Sequence, residues 1–110
     1  MENTTVTSVN YEKSDTIEKQ GKRRDIEKYL NKGYYVKEQR NGYWVLVKSS
    51  KVEVTLSNSK ITRTFNMKEE IREHYNRTRV TEALAKTFLK DVNSGKIVIC
   101  MDSEGMYTFN

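Results

Sequence analysis

The sequence predicts an α+β fold: an antiparallel four-stranded meander followed by helices and a C-terminal β-hairpin, in the order α-β-β-β-β-α-α-β-β. Three observations predict it. From Tyr34 to Phe65 apolar and polar residues alternate around three turn-like pairs, Asn41-Gly42, Ser49-Ser50 and Asn58-Ser59. Asn-Gly between alternating apolar residues is the strongest short hairpin signal a sequence offers. Two apolar stripes at helical spacing follow, Met67-Ile71-Tyr75 and Val80-Leu84-Phe88. Finally, the apolar segments 96–100 and 106–109 flank a turn at Asp102 to Gly105.

Residues 1–13 are polar, rich in Thr, Asn and Ser, and show no period. They read as a disordered tail, leaving residues 14–110 as a single domain. A helix start fits Ser14 or Asp15, where Asp15 and Glu18 make a capping-box pattern. Its firm part runs from about Lys22 to Asn31, with Ile26, Tyr29 and Leu30 on one side and Gly33 at its end.

Within the meander, counting outward from two-residue turns sets the cross-strand partners. Val36 faces Val47, Val47 faces Val52, Val45 faces Val54, Tyr43 faces Leu56, Leu56 faces Ile61, and Val52 faces Phe65. All fall on one face, which the helices would cover. The opposite face collects Tyr35, Lys37, Gln39, Trp44, Leu46, Lys48, Lys51, Glu53 and Lys60. After it, Asn66 and Glu69 cap a short helix from Met67 to Tyr75. The two apolar stripes diverge on a straight helix, so a break falls at Asn76-Arg77-Thr78 and a second helix runs from about Arg79 to Val92.

Charged residues make up 32% and hydrophobic residues 35%, so the core must be small and the surface well solvated. The net charge is +5, and residues 34–66 hold six basic against two acidic side chains. Lysines gathered on one sheet face with aromatic residues suit a polyanion. No apolar run is long enough to span a membrane and no signal-peptide core follows Met1, which predicts a cytoplasmic protein without a membrane partner. Frequent Lys, Asn, Ile and Glu with no proline suggest an AT-rich bacterial or phage genome, and an accessory protein of a phage or mobile element would fit it.

Catalytic and metal chemistry lacks its residues. The lone histidine, His74, has only the carboxylates of its own helix nearby in sequence, and the lone cysteine, Cys100, sits in an apolar strand. No Gly-rich phosphate loop, nucleophile elbow or spaced His/Cys set is present. The expectation is a protein that is not an enzyme and uses no cofactor or metal.

Two surfaces carry the functional expectation. On the meander, Tyr35 and Trp44 among Lys37, Lys48, Lys51 and Lys60 resemble a stacking platform for single strands. Trp44, Tyr35 and Leu46 also fit a second small core beneath the N-terminal helix, a reading that Leu46 beside Trp44 favours. At the helix break, Arg77 and Arg79 would meet phosphates if the two helices form a helix-turn-helix. The sequence therefore points to a small nucleic-acid-binding protein, for DNA or RNA. The alternative is an accessory protein that regulates a host protein or nucleoprotein by docking the same face on an acidic surface, with Trp44 as anchor. The last strand offers an edge through which two copies could pair as a homodimer.

Overall fold

A computed structural model describes residues 3–109. Among the described residues the class is α+β, with eight strands and three helices in three antiparallel sheets. In order these are β1 (Thr5–Glu12), β2 (Asp15–Gln20), α1 (Arg23–Leu30), β3 (Tyr35–Arg40), β4 (Tyr43–Lys48), β5 (Lys51–Ser57) and β6 (Thr62–Asn66). Then come α2 (Lys68–His74), α3 (Glu82–Asn93), β7 (Ile99–Met101) and β8 (Tyr107–Phe109). The predicted helix, four strands, two helices and hairpin appear in that order, preceded by two strands.

Those two strands replace the predicted tail and helix start, apart from residues 1 and 2, which lie outside the described residues. In β1, Val6, Val9 and Tyr11 oppose Leu56, Val54 and Val52, with a register shift between Val6 and Ser8. The bulge lets two valines three residues apart face the same side, which hides the strand period from a sequence reading. In β2, Ile17 opposes Leu46.

The strand pairing corrects the meander. β4 pairs with β2 and β3, while β5 pairs with β1 and β6. Ser49-Ser50 therefore links two sheets instead of turning a hairpin, because β1 and β2 occupy the edges that β4 and β5 would have offered each other. Around Asn41-Gly42 the prediction holds for Arg40 with Tyr43 and Gln39 with Trp44. Asn41 and Gly42 have φ of 43° and 80°, as a type I′ turn requires. A register shift between Val36 and Glu38 then pairs Tyr35 with Val47 and Val36 with Leu46. That shift moves Tyr35 off the Trp44 side of the sheet. At the next hairpin Val54 opposes Phe65 and Leu56 opposes Arg63. The turn there is longer than two residues because the Asn58 carboxamide oxygen accepts from the amides of Lys60 (2.8 Å) and Ile61 (2.9 Å). A two-residue displacement preserves the faces.

The chain groups into two compact units, Lys13–Ser50 and the residues on either side of it. In the flanking unit, the helices cover the buried face of β5, as the valine pattern predicts. Val52, Val54 and Leu56 pack in one cluster with Met67, Ile71, Leu84, Ala85, Phe88, Ile97, Ile99 and Met101. Thr81 caps α3 by accepting from the Leu84 amide at 3.2 Å. The connection between α2 and α3 spans residues 75–81, too long for the short turn of a helix-turn-helix.

Two tyrosines tie this unit together. Tyr75 donates to Asp91 Oδ2 at 2.6 Å, and Tyr107 donates to Glu70. Burial, then the carboxylate partner, raises both phenols, Tyr107 to about 12 from 10.0. A raised folded-state value stabilises the fold fully below the unfolded value of 10.0 and ceases to do so as pH climbs through about 12. Stability measured by urea denaturation should therefore fall between those pH values, with a shallower fall in Tyr107→Phe. Phe88, fully buried and stacked on Phe109 at 5.8 Å, should cost about 3–5 kcal/mol on substitution by alanine in the same assay.

Candidate nucleic-acid interface

The geometry of unit Lys13–Ser50 starts at Gly21, which ends β2 and opens α1. Its φ is 143°, and a Cβ there would lie 2.5 Å from Asp25 Oδ2. Its amide donates to the Gly42 carbonyl at 2.8 Å, and its carbonyl accepts from the Trp44 indole at 2.9 Å. Asp25 accepts from the Lys22 amide at 2.6 Å, capping the first turn. The chain is thus folded back so that α1 covers the sheet face bearing Trp44 and Leu46. Ile26 of α1 and Leu46 of β4 are both fully buried.

Lys19 opposes Trp44 in the ladder and so shares that face. Its ammonium lies 5.5 Å from the centre of the Tyr29 ring. Lys28 and Lys32 approach the same ring at 5.1 and 5.9 Å. Tyr29 meets Tyr34 edge-on at 5.9 Å, and Lys48 stands 5.7 Å from the Tyr34 ring. A hydrogen bond with Lys19, aided by the charges of Lys19 and Lys28, pulls the Tyr29 phenol below its ordinary value. Four of the unit's five carboxylates are engaged elsewhere. Asp15 accepts from Tyr34 Oη, Glu18 from Tyr43 Oη, Asp25 from the Lys22 amide, and Glu38 pairs with Arg40. Among the described residues, no carboxylate forms an ion pair with Lys19, Lys28 or Lys32.

The charge distribution follows these units. Lys13–Ser50 contains ten Lys and Arg against five Asp and Glu, a net of +5. The remaining residues contain ten of each sign, a net of zero. The excess is therefore not a property of the meander as such.

The residues singled out from sequence are divided between the units. Tyr35 is 51% exposed, on the face opposite Trp44. Lys37 is exposed at the bulge of β3. Trp44 is half-buried, with its N–H committed to Gly21, so it seats α1 instead of forming an open platform. Lys48 flanks Tyr34. In the other unit, Lys51 sits between Glu53 (2.8 Å) and Glu12 (3.2 Å). Lys60 lies in the turn after β5 and lines a cleft of about 350 Å³ with Cys100, Asp102 and Met106. Arg77 and Arg79 are exposed in the connection between α2 and α3. No single sheet carries this set.

No family model, curated protein or solved structure matches the chain. Among the described residues, no helix is long and apolar enough to cross a membrane, and no group of three or more His, Cys, Asp or Glu could hold a metal. Cys100 is half-buried and His74 exposed, edge-on to Tyr75 and Phe109 at 4.9 and 5.5 Å.

A reading of the sequence missed Lys19, Lys28, Lys32 and their shared Tyr29. Lys28 and Lys32 are visible four residues apart, at the end of the helix and just beyond it, but Lys19 joins them only once residues 15–20 become a strand. Lys19→Gln should move the Tyr29 titration up toward 10.0, read by phenolate absorbance with Tyr29→Phe identifying the signal.

Proposed function

We propose that this chain binds nucleic acid through the unit Lys13–Ser50. The observation that carries the reading is that this unit holds the chain's entire net charge of +5. Such an excess releases counterions when it meets a phosphate backbone. The placement of the cations supports it further. Lys22, Arg23 and Arg24 are exposed at the start of α1, where the positive end of the helix dipole disfavours them. Local stability alone would place acids there, and a polyanion would reverse the preference. Lys28 and Lys32 extend the charge along α1, and Lys37 adds to it on β3. Tyr35, half exposed, supplies a ring on which a base can stack.

Salt titration of binding to a short labelled oligonucleotide tests the proposal. The logarithm of affinity should fall steeply and linearly with the logarithm of salt concentration, and Arg23→Gln should reduce the slope by about one. Absence of binding at low salt would overturn the reading and leave an acidic protein surface as the partner.

A further inference from the structure

The Tyr29 cluster points to a more specific ligand, and the inference rests on the nucleic-acid reading above. We propose that Lys19, Lys28 and Lys32 form a subsite for a terminal phosphate group, a phosphomonoester, at the end of a nucleic-acid strand. Three ammonium groups stand within 6 Å of one ring centre, at 5.5, 5.1 and 5.9 Å. They come from two elements, β2 and the segment of α1 with its C-terminal extension. The carboxyl end of α1 offers them about half a negative charge. Glu27, the one acid of the unit not engaged elsewhere, forms no ion pair with them among the described residues.

An excess of more than two positive charges therefore surrounds the Tyr29 ring. A backbone phosphodiester brings a single negative charge to it. A phosphomonoester brings about 1.5 to 2 and three strong acceptor oxygens, one for each ammonium. The match in charge and in donor number selects the terminal group. The Tyr29 phenol, lowered by Lys19 and Lys28, reports on their electrostatics.

The test compares internally labelled single-stranded oligonucleotides of one sequence, bearing a 5′-phosphate, a 3′-phosphate or hydroxyls at both ends. Fluorescence anisotropy at one salt concentration should show a phosphorylated end binding about tenfold more tightly than the hydroxyl form. The advantage should vanish in the Lys28→Gln/Lys32→Gln double variant, whose substitutions are on the surface. Lys37→Gln should weaken all three ligands equally. Inorganic phosphate alone should raise the Tyr29 titration in the wild-type chain, read by phenolate absorbance. Equal affinity for all three oligonucleotides, with a steep salt dependence, would overturn the subsite while nucleic-acid binding stands. If no oligonucleotide binds but inorganic phosphate still shifts Tyr29, the phosphate cluster is upheld and the nucleic-acid reading falls. No response to either ligand removes both.

Discussion

The basic unit depends on one backbone constraint, the turn at Gly21. A residue with a side chain would drive its Cβ into the Asp25 carboxylate, and its positive φ is one that glycine alone adopts at little cost. With glycine there, the strand Asp15–Gln20 can stop and a helix can start within two residues. The amide and carbonyl of Gly21 are both used, on Gly42 and Trp44, so the reversal is fixed from both sides. The direction taken by α1 follows from that fixing. Consequently Ile26 meets the Leu46 side of the sheet, and lysines far apart in sequence converge on Tyr29.

The apolar content of this unit explains why the sheet face cannot serve two purposes. With Ile26 and Leu46 as its only fully buried apolar side chains among the described residues, the half-buried Trp44 is needed to complete the packing. Burial of an aromatic ring contributes far more than an exposed ring in a polar setting can. The face read from sequence as a ligand platform is therefore consumed by the helix. Cations from the edge of that layer, Lys19 and Lys48, then emerge beside the tyrosines of α1 and the segment after it. The binding surface proposed above therefore lies at the rim where helix and sheet meet, not on the sheet face.

How much of this was legible in the sequence depends on whether a local signal decided each feature. The Asn41-Gly42 hairpin was legible because its two left-handed residues leave little choice of turn. The helices around Ile26, Ile71 and Phe88 were legible from apolar spacing. The capping boxes read at Asp15 with Glu18 and at Asn66 with Glu69 do not form, residues 15–20 being a strand and Met67 standing at the start of α2. Bulges were not. The ones at Thr7 and Lys37 each add a residue out of phase, so Val6 and Val9 look unrelated and Tyr35 seems to belong with Trp44. The choice between β4–β5 and β2–β4 pairing was also hidden. It rests on competition between whole strands for one edge, and Ser49-Ser50 is a permissive pair that serves as turn or as link. The site inherited both errors, since its residues were grouped by a register that the bulge breaks.

Electrostatic magnitudes explain why the lysine cluster can exist in the free protein. Two ammonium groups in water repel by about 1 kcal/mol at 4 Å and by less at larger separations. An exposed lysine over an aromatic ring gains about 0.5–1 kcal/mol. The terms are of similar size, so the Tyr29 ring offsets the repulsion without neutralising the charge. A carboxylate in place of the ring would also have held the lysines, but it would have cancelled the field that reaches a ligand. The rings thus achieve what an ion pair cannot: they order long, flexible side chains before binding while leaving their charge unspent. Ordering them in advance reduces the entropy lost when an anion arrives. It also explains the division of labour among four acids of this unit, Asp15, Glu18, Asp25 and Glu38, which bond to tyrosine hydroxyls, a backbone amide and an arginine instead of to Lys19, Lys28 or Lys32.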